Sequence, residues 1–260
     1  MISKNRIKFL LSLQKKKVRE DERLYVIEGD KLVREYLEAG IRIKYLVAKP
    51  EFISSLSQAQ KTVPEEIATA SYDDLKSIST LKTPHNALAV VVMPDQQMNV
   101  QDILRQLSVA LDFVQDPGNL GTIIRAAAWF GINNILCSTS CVDAYNPKVV
   151  QASMGAILNV KVHYCNLMDV LAEANRKKIP VYGTLLDGEP IYSSRLGRKG
   201  IILLGNESKG ISTGLMPYVT RKLFIPKFTK EVTGIESLNV GMAASIVFSE
   251  FARRKKQENS

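Results

Sequence analysis

Residues 108–138 read SVALDFVQDPGNLGTIIRAAAWFGINNILCS. An apolar run, Ala110 to Val114, meets the turn formers Asp116-Pro117-Gly118-Asn119. A helix-spaced stretch then runs from Leu120 to Phe130, Gly131 supplies a stop, and a second apolar run covers Ile135 to Ser138. Strand, helix, strand is the reading, and a helical crossover joins strands in parallel. The alternation continues: helix over Pro147–Ile157, strand over Val160–Tyr164, helix over Met168–Lys177, strands over Val181–Leu185 and Gly200–Leu204. A short helix near Ser212–Tyr218, a strand over Leu223–Ile225 and a last helix from Leu238 to about Lys255 complete it. The pattern predicts an α/β fold whose parallel sheet is covered by helices, over 108–260.

Upstream, residues 1–95 predict a smaller α/β unit. Ile2–Val18 carries Ile7, Leu10, Leu11 and Leu13 among bases and reads as a surface helix; Leu24–Glu28 and Ile43–Ala48 read as strands. Asp30 is placed to cap a helix through Glu38 that Gly40 stops. Ser71 with Asp74 has the form of a capping box, and Ala87–Met93 reads as a buried strand. The polar stretch from Pro94 to Met98 opens a linker over 96–107.

The chain has 260 residues, 45% apolar and 23% charged, which excludes disorder over most of its length. Its formal net charge of +9 lies at its ends. Residues 1–20 carry seven cations (Lys4, Arg6, Lys8, Lys15, Lys16, Lys17, Arg19) against Glu20, and residues 253–260 carry four against one. Either these are solvated ends, or they are basic arms beside a site that handles a polyanion. No apolar run has the length of a signal peptide core or a membrane span, and three cysteines (Cys137, Cys141, Cys165) suit a reduced, cytoplasmic protein. Cys137 and Cys141 lack the tight spacing and second half of a zinc site, so buried thiols are expected and no metal.

In parallel sheets, ligands sit beyond the carboxyl ends of the strands. Three polar turns fall there: Asp116–Gly121, Gly205–Gly210 and Gly234–Asn239. They present Asn119, Arg125, Glu207, Ser237 and Asn239. An Arg on an otherwise apolar helix calls for an anion unless it lies on a solvated face, and Glu207, leaving an apolar strand, is a natural partner for it unless it is a plain loop acid. Ser237 reads as the cap of the last helix. Neither a phosphate-binding G-x-x-x-x-G-K-[ST] nor a G-x-G-x-x-G is present. The polar set suits positioning and transition-state electrostatics.

Asp116-Pro-Gly-Asn-Leu-Gly-Thr-Ile-Ile-Arg125, Ile202-Leu-Leu-Gly-Asn-Glu-Ser-Lys-Gly210, and Ile225-Pro226 followed by Ser237-Leu-Asn-Val240 stand in the order of three known motifs. In these the chain resembles the SpoU/TrmH-type RNA 2′-O-ribose methyltransferases of the SPOUT superfamily. Tyr25-Val-Ile-Glu-Gly-Asp-Lys-Leu-Val-Arg-Glu35 and Thr83-Pro84 resemble the L30e-like, RNA substrate-binding domain often joined to that family. The resemblance implies a trefoil-knotted parallel-sheet domain, a homodimer, and S-adenosylmethionine held by main chain at Leu185, Gly205, Ile225 and Leu238. It implies catalytic positions at Asn119, Arg125, Glu207, Ser237 and Asn239, with Glu207 orienting Arg125. RNA, ribosomal before transfer RNA, would be gripped through Lys4, Arg6, Lys15, Lys16, Lys17 and Lys31. The rival reading from another class is a non-catalytic RNA-binding or ribosome-assembly factor with the same fold. The loop 227–236 is longer than is common in the family, Ala126 stands where a Thr is frequent, and Gly241 where a Ser is common.

Overall fold

The computed structural model describes residues 2–95, 97–229, 234 and 237–257, with backbone alone for 255–257. Met1–Asp95 together with Tyr145–Gly155 form one compact unit, and Gln96–Ala144 with Ala156–Ser260 a second.

In the first unit the basic N-terminus is two helices, α1 (Lys4–Ser12) and α2 (Lys16–Glu22), where one was expected over Ile2–Val18. The break has a physical cause. Leu10 and Leu13 are buried against Leu24, Val47 and Leu88. Arg19, only 1% exposed, donates to the carbonyl oxygens of Leu13 (2.8 Å) and Gln14 (2.7 Å), which α1 leaves without intrahelical partners. The basic segment is therefore folded structure and not a solvated tail. There follow β1 (Leu24–Glu28), α3 (Asp30–Glu38), β2 (Ile43–Ala48), α4 (Pro50–Ser54), α5 (Gln58–Lys61), β3 (Pro64–Thr69), α6 (Tyr72–Ile78) and β4 (Ala87–Val92). The sheet order is β1-β4-β2-β3, with β4 antiparallel to both neighbours and β3 parallel to β2. Gly29, not Asp30, occupies the cap position of α3; the Asp30 carboxylate instead accepts from the Asn86 backbone N–H (3.0 Å) and side-chain amide (2.7 Å). The Ser71–Asp74 capping box forms as its spacing implies. Tyr145 stacks on Tyr25 with ring centroids 4.6 Å apart, so the stretch Tyr145–Gly155, which chain order places within 108–260, packs in this unit.

The second unit holds α7 (Val100–Leu104), inside the stretch expected to be a linker, then β5 (Leu107–Leu111), α8 (Pro117–Trp129) and β6 (Asn134–Cys137). After α9 (Pro147–Ser153), which belongs to the first unit, come β7 (Lys161–Tyr164), α10 (Leu167–Arg176), β8 (Val181–Pro190), β9 (Gly200–Leu204), β10 (Arg221–Phe224) and α11 (Val240–Gln257). The six strands lie in the order β10-β8-β9-β5-β6-β7 and every pairing is parallel. β5 ends at Leu111 rather than running to Val114, because Phe113 takes a positive φ of 61° and turns the chain. In β8 the register against β10 jumps from Gly183 to Glu189, so Thr184–Gly188 bulge out of that pairing beyond Gly183. Buried Ala110, Val181, Ile201 and Leu203 join Leu171 and Ala174 of α10 in the core on one face of the sheet.

Candidate active site

The site lies at the carboxyl ends of β5 and β9, which run level, Leu111 beside Leu204. Beyond β5, Asp112 is 5% exposed, donates its backbone N–H to the Leu204 carbonyl (2.8 Å) and accepts from the Ser212 N–H at Oδ2 (2.7 Å). An acid leaving an apolar strand thus ties down the far end of the loop that follows β9. The adjoining turn is braced from within: Phe113 N–H donates to Ser138 Oγ (3.0 Å) and Val114 N–H to Cys141 Sγ (3.3 Å). A hydrogen bond from Cys137 lowers the Cys141 thiol to about 7, while Cys137 is pushed well up by the same bond and by burial. Among the described residues no group of three or more His, Cys, Asp or Glu is placed to hold a metal ion.

After β9, Asn206 and Gly210 bond to each other's backbone in both directions at 2.9 Å, closing a tight loop. The Asn206 amide oxygen accepts from the backbone N–H groups of Ser208 and Lys209, and its Nδ2 donates to the Phe113 carbonyl (2.9 Å). The loop thereby presents the half-buried Glu207 carboxylate toward α8. Asp116 caps α8 by accepting from Asn119 N–H (2.8 Å), which sets Asn119 at the helix mouth.

Three of the five polar residues read from the motifs are joined in one chain of hydrogen bonds. Asn239 accepts from Gly241 N–H (2.9 Å) and Met242 N–H (3.3 Å) at Oδ1, donates through Nδ2 to Asn119 Oδ1 (2.8 Å), and Asn119 Nδ2 donates to Glu207 Oε1 (2.6 Å). Helix amides can only donate and a carboxylate can only accept, so the direction of each amide in between is dictated by its ends. The chain ties the start of α11, the start of α8 and the loop after β9 to one another.

The other two residues depart from expectation. Arg125 projects from the exposed face of α8, in a stripe with Thr122 and Trp129, and makes no hydrogen bond or ion pair among the described residues. Glu207 is engaged with Asn119 and, at 3.4 Å, Asn206, so it does not orient Arg125. Ser237 is exposed and is not the cap of α11; Asn239 has that place, two residues on, because the helix begins at Val240. Of the cofactor positions, Leu185 and Ile225 are half-buried, Gly205 directly follows β9, and Leu238 is 41% exposed. In the loop 227–236, Lys230 and most of its neighbours lie outside the described residues. Asp112, Asp116 and Asn206 carry much of the geometry and were not singled out as site residues; an acid or amide flanking the end of an apolar strand is the signal that finds them.

Residues 106–249 match the SpoU rRNA methylase family, and residues 4–89 match the MRM3-like substrate binding domain. The chain belongs to the SpoU rRNA methylase family. Among curated SpoU relatives, it is 28% identical over 249 residues to the 23S rRNA (guanosine(2553)-2′-O)-methyltransferase RlmP of Bacillus subtilis, covering 93% of this chain and 94% of that one. It is 26% identical to the mitochondrial rRNA methyltransferase 3 of Mus musculus, over 91% of this chain and 69% of that one. A solved structure from Porphyromonas gingivalis, assigned to the TrmH family of RNA methyltransferases, is 40% identical with a TM-score of 0.87, covering 98% and 99% of the two chains. An AdoMet-bound rRNA methyltransferase from Sinorhizobium meliloti is 27% identical with a TM-score of 0.80, covering 98% and 96%.

In this SpoU methylase, Asn239→Ala is expected to remove both a helix cap and a link of the chain. The cap is worth about 1 kcal/mol, and a loosened Asn119 lowers single-turnover rate by roughly 10-fold or more. Asn239→Asp separates the two, because its carboxylate still accepts from Gly241 and Met242 but cannot donate to Asn119. Thermal unfolding should recover with Asp while turnover does not; recovery of both would mean the link to Asn119 carries nothing.

Proposed function

We propose that the protein transfers a methyl group from S-adenosylmethionine to a ribose 2′-hydroxyl of ribosomal RNA, in the cytoplasm and as a homodimer. The observation that carries the reading is the hydrogen-bonded chain Asn239–Asn119–Glu207 at the carboxyl ends of the strands, in a chain of the SpoU family. RlmP and the mitochondrial rRNA methyltransferase 3, each matched over more than nine-tenths of this chain, are named for ribosomal RNA methylation, which favours that RNA over transfer RNA.

The residues beyond the carboxyl ends of β8 and β9 suit the cofactor. Leu185, Ile225 and Leu238 offer partly exposed apolar surface near where the strands end, so an adenine and its sugar would meet apolar walls there. S-adenosylmethionine, when bound, supplies an electrophilic methyl group on a sulfonium. The residues of the chain do the rest. Asn119 and Asn239 each keep one amide N–H beyond those used in the chain, and these hold the ribose. The Arg125 guanidinium binds an adjacent phosphate and stabilises the charge that develops on the 2′-oxygen as the hydroxyl proton is released to solvent. Glu207 fixes Asn119 rather than Arg125. Trp129 (84% exposed) and Met242 (57%) leave large apolar groups on α8 and α11, which supports a homodimer built on these helices; no described helix is long and apolar enough to cross a membrane.

Calorimetry with S-adenosylmethionine and mapping of 2′-O-methyl sites in ribosomal RNA from cells with and without the gene test the reading. Absence of cofactor binding at millimolar concentration would end it. For the RNA grip, Arg6 is engaged with Glu66 and stacked on Tyr45, with its carbon centre 4.5 Å from the ring centroid, so it is a structural cation. Lys16 and Lys31 are exposed within reach of Glu20 (3.6 Å) and Glu35 (3.9 Å), and Lys4, Lys15 and Lys17 are exposed. Replacing Lys15, Lys16 and Lys17 with Gln is expected to weaken RNA binding and flatten its log K–log salt slope by about 2, with cofactor affinity unchanged. An unchanged slope would remove this segment from the RNA interface.

A further inference from the structure

A second concave site lies at the opposite end of the sheet. An open cavity of about 730 Å³ sits at the amino ends of β8, β9 and β10, roughly 16 Å along the strands from the loop after β9. Its rim carries Lys178, Arg195, Arg198 and Arg221, with no acid among the lining residues. Lys178, Arg195 and Arg221 are exposed and make no ion pair among the described residues. The balanced charge of the central part of the chain therefore conceals a local excess of cations here.

The cavity has a built floor. Tyr182, 2% exposed, accepts from Gly197 N–H through its hydroxyl (2.9 Å), and its ring lies so close to Gly200 that an added Cβ would stand 2.7 Å from it. The cation-bearing loop is thus seated on a fixed side chain. Asn175 lines the cavity, and its buried amide oxygen has no hydrogen-bond partner among the described residues. A buried acceptor without a partner costs free energy, and a turn of the Asn175 amide toward the cavity would let a ligand donate to it. The two features ask for different chemistry in one ligand: negative oxygens for the cations, and an adjacent N–H or O–H for Asn175. A nucleotide has both, in its phosphate and in its base amine or ribose hydroxyl.

We propose that this cavity binds a nucleotide of an RNA strand, as a grip separate from the candidate active site. The pocket chemistry is common to an RNA strand and a free nucleotide; the choice of the strand rests on the reading of the protein as an RNA methyltransferase. The test compares the full-length protein with Arg195→Glu/Arg221→Glu and with Asn175→Leu. Binding of a fluorescein-labelled single-stranded RNA is followed by anisotropy across salt, and AMP, inorganic phosphate and S-adenosylmethionine by calorimetry. The double variant is expected to bind RNA ~10-fold or more weakly, with a log K–log salt slope smaller by about 1.4 for two phosphate contacts, and cofactor affinity unchanged. Asn175→Leu should weaken AMP and leave inorganic phosphate alone. Unchanged RNA binding with loss of AMP overturns the strand and leaves a free nucleotide as the occupant. No change in either overturns the site. Failure of the wild type to bind S-adenosylmethionine sinks the methyltransferase reading instead, and the AMP arm still judges the pocket.

Discussion

Arg125→Ala is expected to lower single-turnover methyl transfer by about 100- to 1000-fold, roughly 2.7–4 kcal/mol of transition-state stabilisation, with S-adenosylmethionine affinity unchanged. The size follows from where Arg125 stands. It is exposed on α8, six residues beyond Asn119, and no carboxylate among the described residues neutralises it. Its charge is free to meet the substrate, and RNA covering the site would exclude water and strengthen that interaction. Because it is exposed and makes no hydrogen bond or ion pair among the described residues, its removal should leave thermal stability within about 0.5 kcal/mol of wild type. Arg125→Lys then distinguishes two roles. A lysine keeps the charge as a point and loses the planar fork, so an electrostatic role predicts partial activity that falls as pH rises through the lysine pKa of about 10.4. A base predicts the reverse, activity rising as the amine loses its proton. Near-normal turnover of Arg125→Lys at raised pH would assign proton removal to this position and sink the electrostatic account.

The strand–helix alternation of the second unit was legible because its strands are buried on both faces and read as short apolar runs. Leu107–Leu111 and Gly200–Leu204 are almost wholly buried. β3 was not legible for the opposite reason. It is an edge strand whose residues Pro64–Thr69 are largely exposed, so Glu65 and Glu66 hide it from any apolar pattern. The break between α1 and α2 was hidden because the residue responsible, Arg19, is a cation in a run of cations; only its burial distinguishes it. The placement of Tyr145–Gly155 with the first unit depends on a ring contact between residues 120 positions apart, which no local pattern records. At the site, residue types and spacing were enough to gather Asn119, Glu207 and Asn239. They were not enough to pair them. A carboxylate beside an arginine is the default expectation, yet the Asn119 amide, itself held by Asn239 at the start of α11, reaches Glu207 first, and Arg125 is left without a hydrogen-bond or ion-pair partner among the described residues.

Gly205→Ala is expected to cost ~3 kcal/mol or more of stability, a fall of roughly 10 °C in Tm, and about 100-fold in turnover. An alanine Cβ at this position would lie 2.2 Å from the Gly210 carbonyl carbon, 2.3 Å from Ile211 N and 2.4 Å from the Gly210 oxygen. All three are backbone atoms, so no rotamer relieves the clash. The chain must move, and the nearest movable element is the loop closed by the reciprocal Asn206–Gly210 bonds. Opening it releases Glu207 from Asn119, shifts the Asn206 amide from the Phe113 carbonyl, and disturbs the main chain at the proposed cofactor site. S-adenosylmethionine affinity should therefore fall along with turnover, unlike the outcome at Arg125. Gly210→Ala is the control within the same loop. Gly210 has φ +67° and nothing within 4 Å of an added Cβ, so the substitution costs only the left-handed backbone preference, about 1 kcal/mol. Close approach of backbone to backbone, and not glycine content as such, is what the loop requires at 205. If calorimetry and thermal unfolding find the two alanine variants equally mild, the loop yields easily, and the rigid presentation of Glu207 on which the site depends is wrong.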